Sequence, residues 1–507
     1  MRLFNGSGHA YRRSFFTRIA PIGILLFAIP VICLSGCGMV PTYSYESIRS
    51  EYTKPIRAAS SGTPARRPVG DASADPLDTP LSLDQAIAIA FRNNPELTRA
   101  AMRVRQALAM CAMADAAFWP QVSFYTEYTQ GDAPSAYLFK TIDQRQLPPT
   151  VDFNDPGWFE NWESGLKGQV NLFKGGRDYL GLRMAETDLE LARFDRVRME
   201  NTLTAELIRT FYNVLAARDF IAIAEASVAT VSEQLRIMRV RYEGGGAVKS
   251  DVLSMDVRLA QAREQLIRSQ NRYRLTRAAL ANLMGLDPSA LADTDDPLDP
   301  SGAPAPEMPD TYDAGIAYAL EHRPELAAVR AQLVKSRMGV TAARAAYLPR
   351  LDLRGSYYLD DPSLDYDTDR ENWTTALLLN WDLFTGFSRG PGIARADAMV
   401  REMLAADRQA VLDITLDVKT AYLNREETAA RLDVAQSSVQ SAEESFRLVR
   451  EHFLGGAVTI TRYLEAELDL SQARIRATAA RYDTQTAEAD VARALGIWTV
   501  TKPQPMD

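Results

Sequence analysis

Few residues in this chain could do chemistry. Of its three histidines, His9 lies near the N-terminus, which leaves His322 and His452 for the body of the chain. His452 sits beside Phe453 in an apolar periodic run, the setting of a structural or exposed helix histidine rather than a general base. Asp293, Asp295, Asp296 and Asp299 are close enough in sequence to bind calcium, but they lack the glycine turn of an EF-hand loop and read as a solvated linker. The cysteines are Cys33, Cys37 and Cys111, with neither a disulfide framework nor metal-ligand spacing. Cys111, alone on a helical pattern, is expected to be a small buried apolar residue. No catalytic constellation, metal site or cofactor is expected, and the chain does not read as an enzyme.

Cys37 has a chemistry that depends on its place. Arg12, Arg13 and Arg18 precede residues 19–34, an uncharged and mostly apolar run too short to favour a spanning helix, so residues 1–36 read as an export signal. The run ends in Leu34-Ser35-Gly36-Cys37, which resembles the bacterial lipobox; the alternative is a plain secretory signal with an incidental cysteine. That resemblance implies cleavage before Cys37, a diacylglycerol on its thiol and usually a further acyl chain, such as palmitate, on the new amino group. Each buried methylene adds to anchoring, so a multiply acylated Cys37 would hold firmly to a leaflet. Gly38 follows rather than an aspartate, which under the same resemblance points to the outer membrane. Arg12-Arg13-Ser14-Phe15-Phe16 is also similar to a twin-arginine signal. A protein exported folded would carry exposed membrane strands through the cytoplasm, so the pair is read as an ordinary basic region. Residues 37–80, rich in Pro, Ser, Arg and Asp, form a flexible tether.

The elements beyond the tether are long and used twice. Residues 177–242 hold no proline and only Gly181 among glycines, and Val228, Val231, Leu235, Met238 and Tyr242 alternate in steps of three and four. That spacing is a coiled-coil seam, and one helix of this length would run about 100 Å. The same seam returns 211 residues later as Val439, Ala442, Phe446, Val449 and Phe453. Gly244-Gly245 and Gly455-Gly456 turn each long helix into a returning one, with Ser250 or Asp251 expected to cap the first return. Asn94-Pro95-Glu96-Leu97 is matched by Arg323-Pro324-Glu325-Leu326, a proline break between two helical pieces in each half. Between these pieces and each long helix, period-two alternation predicts strands at about 121–131 and 162–172, then about 350–359 and 373–383. The apolar faces carrying Leu166, Val170, Leu351, Tyr357, Leu377 and Trp381 are expected to meet lipid. The first repeat thus covers 81–286, a Pro/Asp-rich linker 287–310, the second repeat 311–497, and a tail 498–507. Internal duplication checked at this many points is a strong signal.

Four strands cannot close a barrel, and an open sheet edge in lipid leaves backbone groups unsatisfied, so the chain must oligomerise if its strands span a membrane. The net charge of −8, which falls to near −12 without the four arginines of residues 1–36, gives no support for nucleic-acid binding.

Leu83-Asp84-Gln85-Ala86, Asn94-Pro95-Glu96-Leu97, the exits Leu172-Phe173-Lys174-Gly175 and Leu383-Phe384-Thr385-Gly386, and the glycine turns together resemble the TolC-like outer-membrane efflux family over roughly residues 81–497. The resemblance implies a mainly α fold with a transmembrane β part. Duplicated helical hairpins would form a periplasmic α-barrel, and four strands per chain would contribute to a trimeric twelve-stranded outer-membrane β-barrel. It further implies a passive exit duct that takes small molecules from an inner-membrane pump through a periplasmic adaptor, docked at the turns Gly244, Gly245, Gly455 and Gly456. A duct for type I protein secretion is the alternative. A structural periplasmic coiled-coil lipoprotein would leave the four strands unexplained, and an adaptor should have one hairpin, not two.

At the periplasmic gate the chain departs from the family pattern. Relatives closed by aspartates carry two acids three residues apart inside the second returning helix; the matching positions are Arg462 and Glu465. The family's basic residue two past the glycine is Val458, and the first hairpin keeps an acid as Asp251, the repeat-equivalent of Arg462. Asp251 and Arg462 are therefore expected to pair across neighbouring tips, against the plainer reading of solvated charges contributing under about 1 kcal/mol.

Overall fold

A computed structural model describes residues 80–291, 298–299, 306–365 and 368–498. The expectations for the export signal, Cys37, nearly all of the tether, Asp293, Asp295, Asp296 and residues 499–507 lie outside them.

Order begins with a reciprocal cap. The Ser82 hydroxyl accepts from the Gln85 amide and Gln85 Oε1 accepts from the Ser82 amide, which opens α1 (Leu83–Asn93). Pro95 has no N–H to give, so the chain breaks and restarts as α2 (Pro95–Asp115), with the Asn94 side chain accepting from Glu96 N. After a short 3₁₀ turn come β1 (Gln121–Gly131), a loop containing α3 (Pro134–Asp143), and β2 (Phe159–Phe173). The long helix α4 (Arg177–Glu243) and its return α5 (Lys249–Leu283) follow. The second half repeats the order as α6 (Tyr312–His322), α7 (Pro324–Arg344), β3 (Arg350–Asp361), β4 (Glu371–Asn380), α8 (Arg389–Leu454) and α9 (Ile460–Leu495). At 67 and 66 residues, α4 and α8 each run about 100 Å.

The strands form one antiparallel sheet in the order β1-β2-β3-β4, so the two repeats meet at the β2–β3 pair, which carries an irregularity between Asn171 and Phe173. In the helical layer α4 packs on α5 and α9, and α9 on α8. The outer helices α5 and α8 keep large apolar residues exposed: Leu253, Val257, Ile267 and Leu275 on one, Leu412, Leu416 and Val434 on the other. Sheet and helical layer are thus both open at two edges. The core lies inside the layer, with Leu207, Phe211, Val214 and Leu215 of α4 buried. A second cluster in the other half joins Ala319, Leu326, Val418 and Leu495.

Four expectations change in detail. Val248, not Ser250 or Asp251, is the N-cap of α5, because the helix starts two to three residues earlier and places both polar residues inside its first turn. β4 ends at Asn380, so Trp381 lies past the strand and donates its indole N–H to the Tyr347 carbonyl at 3.0 Å. Cys111 is half-buried, and desolvation together with the carboxylates of Glu186 and Asp188 raises its thiol pKa. The linker is not wholly solvated: Leu291 and Leu298 are buried, and Leu298 bridges Leu81 in parallel. Among the described residues no helix is long and apolar enough to cross a membrane.

Candidate duct wall and periplasmic tip

Strand pairing fixes two faces on the sheet. Phe124, Leu166, Tyr357 and Trp373 are successive cross-strand partners on one face, and Val170, Leu353 and Leu377 form another row beside them. Phe124, Leu166, Tyr357, Trp373, Leu377 and Leu379 are all exposed, an apolar surface that in water would be a liability and in lipid is not. Aromatic residues gather where the strands turn into helices: Trp119, Tyr347, Trp381, Phe384 and Phe387 are exposed there, the placement of an interfacial girdle. The other face is polar. It carries Gln121, Ser123, Lys167, Gln169, Arg354, Ser356 and Thr374 around a shallow concavity.

The longer first-hairpin loop, 132–158, folds back over this polar face. Lys140 of α3 lies 2.5 Å from Glu163 Oε2 and 3.0 Å from Asp360 Oδ1. Gln144 donates to Asn161 Oδ1 at 2.8 Å, Asn161 to Asp360 Oδ1 at 2.7 Å, and Arg145 to Asn372 Oδ1 at 3.1 Å. Asp360 is fully buried, and Lys140, Asn161 and Asn372 donate to its two oxygens. The loop was legible as a loop; its inward path was not, because it rests in part on Asp360 and Asn372, 220 and 227 residues from Lys140 and Arg145.

At the opposite end the tips are built alike. Gly245 and Gly456 adopt φ of +80° and +76°, which costs little without a side chain. Gly246 N–H then reaches Arg241 O at 2.7 Å and Ala457 N–H reaches His452 O at 2.8 Å, closing both helices. Gly244 and Gly455, just before them, are the C-caps of α4 and α8. Arg462 faces Glu465 at 3.3 Å within the same chain, and both are about half exposed. Asp251 lies in the first turn of α5 and forms no ion pair within the chain among the described residues. Val458 packs against a cluster of Val231, Leu235, Met238, Met255, Leu259, Phe453 and Tyr463, which zips the two hairpins of one chain together.

Just above this cluster is a site the sequence reading missed. Glu467 is buried; it accepts from Arg258 at 2.5 Å and from the Ser227 hydroxyl at 2.6 Å, joining α9 to both helices of the first hairpin. The available signal was its spacing: Glu467 falls between Tyr463 and Leu470 on the seam, where a carboxylate calls for a buried cation. A further pair of anchors obeys the repeat. Asn94 Nδ2 donates to Leu283 O at 2.8 Å, and Arg323 Nη1 to Ala494 O at 3.3 Å, so each proline break ties to the end of its own returning helix. Gly285 belongs to this contact, since a Cβ there would stand 2.5 Å from Asn93 O.

Amphipathic strands that continue into paired helical hairpins define a membrane-spanning wall with a long soluble extension. Comparison with known proteins specifies it. Residues 86–286 and 315–497 match the family model described as outer membrane efflux protein. The chain is 25% identical over 425 residues to the pyoverdine export outer membrane protein OpmQ of Pseudomonas putida, covering 82% of this chain and 85% of that one. It is 25% identical over 428 residues to the alkaline protease secretion protein AprF of Pseudomonas aeruginosa, covering 80% and 82%. The Campylobacter jejuni CmeC outer membrane channel superposes with a TM-score of 0.71 at 17% identity, covering 82% of this chain and 85% of that one. The chain belongs to the outer membrane efflux protein family and is an outer-membrane protein with a long helical extension.

Proposed function

We propose that three copies close into one duct that passively carries small molecules out of the cell, fed by an inner-membrane pump through a periplasmic adaptor seated on the glycine turns Gly244, Gly245, Gly455 and Gly456. The observation that carries this is the pair of open edges. Among the described residues of one chain β1 and β4 are paired on one side only, and α5 and α8 expose apolar residues at the borders of the helical layer. Edge-to-edge association closes both layers at once, which a backbone in lipid requires. Cys37, acylated, would anchor each copy to the outer membrane. The inward course of α3 favours small solutes as cargo; the likeness to AprF supports a second reading, a duct for secreted polypeptide. Reconstituted protein should conduct ions in planar bilayers and migrate as a heat-dissociable trimer. A non-conducting elongated dimer would sink the duct and favour a structural periplasmic coiled coil.

At the entrance the proposed closure pairs Asp251 of one tip with Arg462 of its neighbour, in competition with the Arg462–Glu465 contact inside the chain. Arg462→Asp should raise single-channel conductance, and adding Asp251→Arg should bring it back. A double variant no closer to the parent than the single would show the two residues uncoupled.

A further inference from the structure

The polar face of the sheet has an uneven charge distribution. Towards the loop end, Glu163 and Asp360 share the one cation Lys140, and towards the helical end Asp352 is matched by Arg350 at 2.6 Å. Between those levels the only charges are Lys167 on β2 and Arg354 on β3; neither forms an ion pair among the described residues, and they act only at longer range on Glu163 and Asp352 respectively. Lys167 lies opposite Ser356 and Arg354 opposite Gln169, which makes the two cations diagonal neighbours on one face, with backbone positions about 7–8 Å apart. Both are exposed, and Lys167 is held over the Tyr125 ring at 4.7 Å, a contact that fixes its position without neutralising it. Ser123, Gln169, Ser356 and Thr374 line the same concavity with hydroxyl and amide donors. The nearest inward carboxylate without a cation is Glu127 on β1, two inward positions from Ser123 towards the loop end.

In a chain of net charge −8 this band runs against composition. A guanidinium and an ammonium within one solute's reach, surrounded by neutral donors, is the chemistry that recognises carboxylate and phosphate oxygens. A bore lined by one sign of charge with low-dielectric walls also concentrates the opposite ion. We propose that Lys167 and Arg354 form an oxyanion-binding band in the bore, and that the cargo passing it bears carboxylate or phosphate groups. This rests on the duct reading, which turns the polar face inwards.

The test uses the full-length protein in planar bilayers at about 0.1 M salt, where charges act over roughly 10 Å. Citrate and pyrophosphate are added in separate arms, with spermine as the cationic control. Either anion should reduce the open-channel current at concentrations where spermine does not, and the arm that blocks identifies a carboxylate or a phosphate preference. The K167Q/R354Q double variant should need at least tenfold more anion for the same block, while the charge-conserving K167R/R354K double variant should retain it. Absence of block by both anions in the parent protein overturns the proposal, whatever the variants do. Equal block of parent and K167Q/R354Q overturns it too. In both cases a conducting channel leaves the duct itself standing, whereas failure of the parent to conduct removes the duct.

Discussion

Glu467 occupies a seam position that would ordinarily be apolar, and its carboxylate is tolerated because Arg258 and Ser227 meet it there. Removing one member of such a pair leaves an uncompensated buried charge. Glu467→Ala should therefore destabilise the folded protein by about 3–5 kcal/mol, whereas replacing Glu467 and Arg258 together by methionine should cost far less. Urea unfolding of the detergent-solubilised protein followed by circular dichroism checks this; equal losses would mean that the pair carries no desolvation penalty. Asp417 on α8 makes a different case, since it is only partly buried and has two cationic partners. Burial works to raise its pKa, but Arg493 at 2.8 Å and Arg323 at 2.6 Å outweigh that and hold the carboxyl below its usual range. A depressed folded-state pKa contributes stability that is fully present above the unfolded value of about 3.9 and is lost as the pH falls through the folded value. Thermal unfolding should lose midpoint temperature below about pH 4, and Asp417→Asn should flatten that part of the profile. An unchanged slope in the variant would assign the acid sensitivity elsewhere.

Among the elements, α3 is the one whose place is fixed by few contacts. Ten residues cannot hold a helix in water unaided, and what docks this one is Lys140 on Glu163 and Asp360, with Gln144 and Arg145 beside it. Lys140→Ala removes a charge-assisted contact worth about 1.5–3 kcal/mol, so amide exchange across residues 134–143 should accelerate at least about tenfold while β2 is unaffected. Unchanged exchange would show that the loop is held by something other than these bonds. The contrast with the long helices shows what a sequence discloses. For α4 and α8 the information is local and repeated: no proline, a 3-4 apolar spacing, glycine turns at matching offsets, so the helix predicted to end at Tyr242 ends at Glu243. Alternation likewise set β1 at the expected bounds, and β2 and β3 ran a little longer. β4 stopped short because Trp381, apolar and in phase, serves the junction with Tyr347 instead. At the candidate sites the tip glycines could be read from their residue type. The Glu467–Arg258 pair and the docking of α3 could not, because their partners lie 209 and 220 residues away and carry no local pattern.

For the molecule as a whole, two anchors are in question, and they separate experimentally. Acyl chains on Cys37 would hold the N-terminus to a leaflet in proportion to their buried methylenes. The sheet would hold the membrane independently, because its apolar face is continuous across all four strands through Phe124, Leu166, Tyr357 and Trp373. Mass spectrometry of the mature N-terminal peptide should show Cys37 carrying acyl mass, and an unmodified terminus elsewhere would refute the anchor. Cys37→Ser should abolish that mass, yet the protein should still need detergent for extraction. Leu377 tests the second anchor. It sits within β4 opposite Leu353, exposes about two thirds of its surface in a single chain, and points away from the polar face. Arginine there should cost up to about 2–4 kcal/mol per copy at mid-membrane, and symmetry repeats that cost in every copy of the closed barrel. In the Cys37→Ser background, Leu377→Arg should lower the temperature at which the oligomer dissociates on gels, whereas Leu378→Arg, on the polar face, should leave it nearly unchanged. Recovery of the Cys37→Ser protein in buffer without detergent would reject the assignment of this face to lipid.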